Sequence, residues 1–590
     1  MNTHFDIEAL HPITKTLLEK RGITNPAEVE EFLTPSYEKH IGDPFQIYGM
    51  EKAVNRITDA MRNGEKTAIY SDYDCDGVPG GVLLRTFFDD IGYPVEMYIP
   101  HRHNEGYGVH KHAIDALKKK GVTLIITVDS GITNIEEVEY AKGVGVDFII
   151  TDHHLPITKE NIESRDASTE ESQQLKTNNQ KLSQVVPDAV AVLNSKQDAC
   201  TYWDDMLCGC AVAWKLACAV LMRAKNDISL GGVHATVKEL PEGYEKWLLD
   251  LVGISTIADM VPLRKENRAL AHFGLKVLRK TKRHGLNHIF NEQRMRKDVL
   301  TEEDIAFTIA PRVNAASRMG DPMQAHMMLY EKDRESAEGY AFELEELNTQ
   351  RKSEVKDIVS TISFDHDVYK DDVVVVGDVS WGPGVLGLIA QKIIDETGKP
   401  VFVWGSGENK EELKGSCRSL GDVSVVDMMA HVGHEVLLGW GGHEGAGGFS
   451  LLPSHVESLR KALNESYHHV ERRNIAQQAQ EPDMMLTLEE VNDVTYNALL
   501  ALAPFGEGNP KPLFSFDGVE AFATKWFGKK GEHFEVVYGT KDGKKIKAIQ
   551  FFAPKDLEDK MSRPHTLHAH IEKSYFGGKV ELRLRVVGVE

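Results

Sequence analysis

Long apolar runs are missing from this chain of 590 residues. The longest, 207–222, is broken by Lys215. It is shorter than the roughly 20 apolar residues that a membrane helix needs, so a buried core helix is expected there. Cysteine is scarce: the six are Cys75, Cys200, Cys208, Cys210, Cys218 and Cys417, and none forms a C-x-x-C pair. That excludes the common thiolate zinc spacings and a disulfide framework, and leaves buried, reduced thiols as the expectation. The start, MNTHFDIEAL, lacks the basic and apolar regions of a secretory signal, so a soluble, reducing, cytoplasmic setting is expected. Positive charge is in deficit, with 68 Lys+Arg against 90 Asp+Glu and a net charge of −22. Such acidity counts against a nucleic-acid partner unless a basic channel lies on an acidic body. With 41% hydrophobic and 27% charged residues, collagen, a disordered tail and a small disulfide scaffold are excluded. At roughly 100–200 residues per domain, about three to five domains are expected.

Short β-rich apolar runs recur at 67–70, 95–99, 123–128, 147–150 and 189–193, with helical patterns between most of them. This predicts a parallel sheet buried on both faces, whose ligands gather at the carboxyl ends of its strands. The segment 158–184 is polar and lacks aromatics, which reads as a surface insertion. Residues 331–362 are highly charged, with no proline and a single glycine, Gly339, and read as a long exposed helix joining two lobes. VVVVGD, a Gly-rich turn and PVFVWG open a second α/β pattern at Asp372. From about Thr487, FEVVYG, IKAIQFF, LHAHI and VELRLRVVGV read as a small all-β domain.

Four clusters carry chemistry: Asp72, Asp74 and Asp76 in DYDCDG, Asp129 in VDSG, Asp152, His153 and His154 in TDHH, and Asp259 in ADMVP. Taken singly, an Asp at a strand end is more often a helix cap or turn residue. Taken together, three clusters sit at the carboxyl ends of parallel strands and would converge. Crowded carboxylates need a cation, and carboxylates with an imidazole suit Mn²⁺ or Mg²⁺ better than structural zinc. A carboxylate shared by two cations would hold them ~3.5–4 Å apart, the spacing used for phosphoryl displacement.

In this order the four motifs resemble those of the DHH phosphoesterases. The flanks RGITNPAEVEEFL, IPHRHNEGYGV, APRVNAASRMGD, LKGSCRS, GWGGHEGAGGFSL and PFGEGNPKPLF are similar to those of the RecJ family, from about residue 21 onward. The resemblance implies an α/β protein. Its parts would be an N-terminal helical segment (1–50), a parallel-sheet DHH catalytic domain (51–330), a long linking helix (331–364), a smaller α/β DHHA1 domain (365–470) and a C-terminal OB-fold β-barrel (480–590). It implies a single-stranded-DNA-specific exonuclease that works 5′ to 3′ with two Mn²⁺ or Mg²⁺ ions, releases 5′-mononucleotides and serves recombination and repair. Single-stranded DNA would be its partner, a helicase and a single-stranded-DNA-binding protein are candidate protein partners, and the chain would be a monomer.

Position by position, Asp74 and Asp76 would ligate metal, Asp129 would bridge, and His153 and Asp259 would complete the second site. Asp72 would ligate or orient, Asp152 would orient the histidines, and His154 would contact the scissile phosphate; the nucleophile would be a metal-activated water. Arg102, Ser416 and Arg418 would form a 5′-phosphate pocket. Arg312, Asn314 and Arg318 would contact phosphates across the cleft, with His443 as a further donor. Lys525, Lys529 and Lys530 around Trp526 and Phe527 suit a single strand, whose bases stack at ~1–3 kcal/mol each; an ordinary lysine-bearing hairpin is the alternative.

Five features depart from the family's pattern: Tyr70 where many members carry histidine, Cys75 for Ala, Pro79-Gly80 after the first motif, Ser317 for Gly, and Gly382 for the histidine of W-H-x-G. Two other readings remain. A phosphodiesterase of short oligonucleotides or cyclic dinucleotides generally lacks a domain such as 487–590. A silent replisome scaffold would have lost ligands, yet Asp74, Asp76, Asp129, His153 and Asp259 are all present.

Overall fold

The structure, a computed structural model, describes residues 5–158, 184–226, 240–362, 364, 367–407, 411–472, 481–575 and 580–590. The body of the polar insertion, 159–183, therefore lies outside the described residues. Two compact units emerge, one of residues 43–259 and 274–477, the other of 1–42, 260–273 and 478–590.

In the larger unit, Val, Ile and Thr crowd the segment VTLIITV, and β-branched side chains favour a pleated backbone. It lies at the centre of a five-stranded sheet: β1 (Lys66–Ser71), β2 (Glu96–Tyr98), β3 (Val122–Val128), β4 (Asp147–Thr151) and β5 (Ala191–Leu193), in the order β2-β1-β3-β4-β5. All four pairings are parallel. Ser71 pairs with Val128, Val128 with Thr151, and Thr151 with Leu193, so four strands end in line. The ladder runs one residue further: the N–H groups of Asp72, Asp129 and Asp152 donate to the carbonyls of Val128, Thr151 and Leu193 at 3.1, 2.9 and 3.1 Å. Three acidic residues thus leave the sheet side by side, at the edge where open α/β sheets bind ligands.

Helix α1 (Gly77–Asp90) follows β1 directly, and α2 (Gly209–Asn226) contains most of the expected core helix. Pro79 falls in the first turn of α1, where its missing N–H has no intrahelical partner to lose. Helices α3 (Leu249–Ala258) and α4 (Ala310–Met319) follow, then α5 (Arg334–Thr361) of 28 residues. The charge pattern suggested an exposed helix, but α5 is exposed only in part. It buries Ala337, Ala341, Leu344 and Asn348, and farther along Val355 and Ile358 pack against the core of the next sheet. A charged helix can still bury a narrow apolar stripe.

That sheet has five strands: β6 (Val374–Asp378), β7 (Val401–Ser406), β8 (Leu413–Arg418), β9 (Leu437–His443) and β10 (Ala446–Leu451), in the order β9-β10-β8-β7-β6. Only β6 and β7 are parallel. Among the described residues no helix is long and apolar enough to cross a membrane.

The smaller unit is built on a seven-stranded mixed sheet made from 484–485, 514–519, 521–527, 533–539, 545–550, 565–574 and 581–589. Its core joins Phe514, Phe516, Phe534, Leu567 and Leu584 to Leu17, Leu18 and Phe32 of the N-terminal helices Pro12–Lys20 and Pro26–Leu33. The sequence suggested an all-β region from Thr487, but helix Asp493–Leu500 interrupts it, capped by the Asn492 side chain. Phe514 is fully buried. Phe514→Ala is expected to weaken this unit by ~3–5 kcal/mol, seen as faster amide hydrogen exchange across 565–574. Unchanged exchange there would show that Phe514 is not an essential part of the core.

Candidate metal centre and phosphate cleft

The carboxyl edge of the parallel sheet gathers every acidic motif. Three sets of ligand atoms lie within 4.8 Å of one another: Asp72, Asp74 and Asp129; Asp76, His153 and Asp259; and Asp129, His153 and His154. Asp129 and His153 each belong to two sets. His153 Nε2 stands 3.1 Å from Asp129 Oδ1, 3.6 Å from Asp259 Oδ2 and 3.7 Å from Asp76 Oδ2.

Backbone geometry holds these groups together against their repulsion. Asp129 adopts a left-handed conformation, φ 59°, unusual for a non-glycine residue and typical of strained functional sites. Gly209 lets the start of α2 come close: a Cβ there would fall 2.6 Å from Asp129 Cβ. Asp76 accepts from the N–H groups of Gly209 and Cys210 at 2.6 and 2.9 Å, where the helix dipole favours a carboxylate. Asp74 Oδ1 accepts from the N–H groups of Asp76 and Gly77 at 2.8 and 3.1 Å. Asn314 Oδ1 accepts from Cys75 N–H at 2.9 Å, so in this structure Asn314 braces the first motif.

Charge is left over. Asp72 Oδ1 and Asp129 Oδ1 are buried with no hydrogen-bond partner among the described residues. Burial and the neighbouring carboxylates push Asp76 up to about 6 and Asp259 up to about 9, and carry Asp72 and Asp129 well above the carboxylate range. Burial holds His153 down to about 3, so it is neutral and able to ligate. Burial opposes charge on His154 too, but its hydrogen bond to Asp152 prevails and lifts it to about 9. Conversely, the bond from His154 overcomes burial and draws Asp152 down to about 2. His154 Nδ1–H donates to Asp152 Oδ1 at 2.8 Å. Asp152 also accepts from the N–H groups of Ile132, His153 and His154 at 2.9, 2.7 and 3.1 Å. Asp152 therefore orients and the others crowd. Orphaned, oxygen-rich, buried carboxylates beside a neutral imidazole fit hard divalent cations.

Tyr70 stands apart from the cluster. Its hydroxyl donates to Gly108 O at 3.0 Å, and its ring stacks on Tyr98 at 5.0 Å. Sequence reasoning passed over Tyr107, whose hydroxyl lies 3.2 Å from Asp129 O and 3.1 Å from His154 Nδ1. It also passed over Asn194, which donates to His154 O at 2.8 Å, and Lys196, whose charge acts on Asp259, Asp152 and Asp129. Both follow β5, so the strand-end rule that picked out the acids could have found them. The His443 ring lies nearly parallel to His154, 6.4 Å away.

Beside the carboxylates opens a cleft of about 550 Å³, lined by Arg102, Arg318, Ser416 and Arg418, with Tyr73 in its wall. Four of the residues singled out for phosphate recognition thus share one cavity. Arg312 is not among its lining residues. It is 3% exposed, with Nε on Glu345 at 2.6 Å and Nη1 on Thr308 O at 2.7 Å. Ser317 is buried and bonds Asn314 O at 3.3 Å, and the Gly382 backbone lies against Glu354.

In the smaller unit Lys525, Lys529 and Lys530 are exposed. Trp526 turns its N–H to Glu558 at 2.8 Å and packs on Phe534 at 4.7 Å. More open faces belong to Phe522 and Phe552, 66% and 80% exposed. Lys545 Nζ lies 4.5 Å from the Phe522 ring, and Arg583 and Arg585 flank Phe551 at 5.9 and 5.6 Å.

Cation binding requires ionised carboxylates and therefore expels protons. With Asp76 near 6 and Asp259 near 9 in the cation-free protein, Mn²⁺ affinity is expected to rise from about pH 5 to about pH 9. Titration calorimetry in buffers of different ionisation enthalpy measures the proton release. Affinity independent of pH would mean that other groups bind the ion.

Three domain-family models match the chain: the DHH family N-terminal domain over 66–240, the DHHA1 domain over 370–468 and the RecJ OB domain over 482–588. Single-stranded-DNA-specific exonuclease RecJ of Bacillus subtilis is 34% identical over 509 residues, 86% of this chain. The chain covers 59% of that relative's length. RecJ of Haemophilus influenzae is 27% identical over 602 residues, covering 98% of this chain and 96% of the relative. The fold matches that of Thermus thermophilus RecJ in complex with Mn²⁺, with TM-score 0.75 and 24% identity over 99% of this chain and 76% of that one. An exonuclease RecJ bound to manganese aligns with TM-score 0.57 and 28% identity over 71% of this chain and 94% of that one.

Proposed function

This chain belongs to the RecJ family of DHH phosphoesterases, and from that premise we propose that it hydrolyses single-stranded DNA from the 5′ end, releasing 5′-mononucleotides. The observation that carries the reading is the juxtaposition of two ligand triads with an arginine-lined cleft in one unit. Asp72, Asp74 and Asp129 would hold one cation, Asp76, His153 and Asp259 the other, and Asp129 would be shared. Mn²⁺ or Mg²⁺ held there supplies Lewis-acid activation of water and neutralises charge on the reacting phosphate.

The chain's own groups do the rest. Protonated His154, held by Asp152, presents its remaining N–H to a phosphate oxygen as charge develops. Tyr107 steadies the same ring. Arg102, Arg318 and Arg418 match a terminal phosphate with planar, multiply donating forks, and Ser416 adds a hydroxyl. A terminal phosphate held there would direct the first internucleotide linkage toward the carboxylates, so that the cut would fall one nucleotide at a time. Lys196 adds positive charge near Asp259, Asp152 and Asp129, while His443, whose pKa burial lowers, stands beside His154 as a neutral hydrogen-bonding ring. The exposed Phe522 and Phe552 with their basic neighbours would stack bases in the smaller unit, joined by Lys529 and Lys530. A cytoplasmic role in recombination and repair, as a monomer working with a helicase and a single-stranded-DNA-binding protein, completes the proposal.

End-labelled single-stranded DNA, incubated with Mn²⁺, Mg²⁺ or EDTA, tests it. Loss from the 5′ end should depend on the metal and vanish in Asp129→Ala; His154→Ala should lose about 10²–10³-fold in rate. Intact long strands with dinucleotides cleaved would overturn the reading. Arg418→Ala is expected to shrink the preference for a 5′-phosphate over a 5′-hydroxyl by about ten- to a hundredfold, since a hydrogen bond to a charged group is worth ~1.5–3 kcal/mol. An unchanged preference would remove Arg418 from end recognition.

A further inference from the structure

The arginine-lined cleft holds more room and more positive charge than one terminal phosphate uses. Its volume of about 550 Å³ lies in the ~300–1,000 Å³ range of pockets that enclose a whole drug-sized ligand. Arg102, Arg318 and Arg418 line it, and their contacts include a ring and backbone carbonyls: Arg102 lies over Tyr73, Arg318 donates to Gly384 O and Arg418 to Cys417 O. The acid in the wall, Glu105, is engaged elsewhere, accepting from Tyr98 Oη at 2.5 Å and contacting His112 Nε2 at 2.7 Å. Lys414 in the wall is held by Glu412 at 2.5 Å.

Arg318 is the most constrained of the three. Its Nη1 donates to Gly384 O at 3.0 Å, while its Nε is buried with no partner among the described residues. Arg351 of α5 acts on it electrostatically; the Nε of Arg351 is buried and equally without a partner. Burial above all, then the charges of Arg102, Arg351 and Arg418, depress Arg318 to about 9. A terminal monophosphate brings about −1.5 to −2 at pH 7, against three lining guanidinium groups, one of which also feels the charge of Arg351. Gly387 lets the backbone approach this lining closely: a Cβ there would stand 3.1 Å from Ser416 Oγ and 3.2 Å from Arg418 Nη2, tighter than an ordinary contact.

We propose that this cleft also accepts 5′-polyphosphorylated ends, so that a single strand beginning with a 5′-triphosphate is a substrate and its first product is a nucleoside 5′-triphosphate. The proposal rests on the terminal-phosphate reading above and extends its substrate class. Water attacks the phosphorus of the first internucleotide linkage, and the bond from that phosphorus to the 3′-oxygen breaks. The 3′-oxygen leaves with a proton as the hydroxyl of the released nucleotide. The attacked phosphate stays on the shortened strand as its new 5′-phosphate. The terminal triphosphate itself is untouched, and water is the only co-reactant.

The test uses the full chain with Mn²⁺ and three strands of one sequence, ending in 5′-hydroxyl, 5′-monophosphate or 5′-triphosphate. Products of the first turnover are separated by anion exchange. The triphosphate strand is expected to be cut faster than the hydroxyl strand and within about tenfold of the monophosphate strand, giving one nucleoside triphosphate per strand and then monophosphates. Arg351→Met, with its fold checked by circular dichroism, is expected to lower the ratio of triphosphate to monophosphate cutting severalfold. A triphosphate strand left intact while the monophosphate strand is degraded would overturn the proposal and leave the terminal-phosphate reading standing. Release of pyrophosphate or orthophosphate before any nucleotide would also overturn it. If the monophosphate strand is not degraded either, the reading beneath it fails as well.

Discussion

Repulsion among buried carboxylates is the constraint around which the larger unit is organised. Asp72, Asp76 and Asp129 are almost entirely shielded from water, yet converge at one edge of one sheet. Left alone, such groups would take up protons or move apart. Their raised proton affinities are the first response, and the backbone prevents the second. The sheet ladder extends into Asp72, Asp129 and Asp152, the first turn of α2 grips Asp76, and Asp129 is kept in a left-handed conformation. The fold stores unfavourable electrostatic energy that a divalent cation relieves, so affinity for the cation and rigidity of the scaffold are two sides of one arrangement.

The cleft repeats the same logic with the sign reversed. Arginines from three separate stretches, Arg102, Arg318 and Arg418, are brought together with too little negative charge around them. Under the proposed function a nucleic-acid end would supply what the cleft lacks, as cations at the carboxylates would supply what that site lacks. Phosphate chemistry is favoured because a phosphate can answer both demands at once. The net charge of −22 poses no contradiction, since local potentials rather than the total decide where a polyanion docks.

Much of the site was readable from the motifs because they abut strand ends, and the geometry of a parallel sheet determines where strand ends go. Asp72, Asp129 and Asp152 share one edge for that reason alone. Asp259 follows a helix, and its arrival beside His153, at 3.6 Å, could be anticipated only through resemblance. Arg312 and Asn314 show the limit of residue-type reasoning. An arginine and an asparagine in a low-charge segment look like phosphate contacts, but Glu345 lies within reach of the first and the Cys75 amide of the second. Trp526 similarly finds Glu558, while Phe522 and Phe552 are left open. Competing partners distant in sequence decide such cases.

The sequence by itself determined the strand-and-helix alternation, the carboxyl-edge position of three acidic motifs and the need for a hard cation. These follow from local chemistry: β-branched runs, turn residues and like charges a few positions apart. Tertiary structure alone decided which carboxylates share a ligand set, which histidine is neutral and which charged, and which arginines face open space. Those outcomes depend on distances between segments far apart in the chain and on how completely packing removes water, and neither is written in any short stretch of residues.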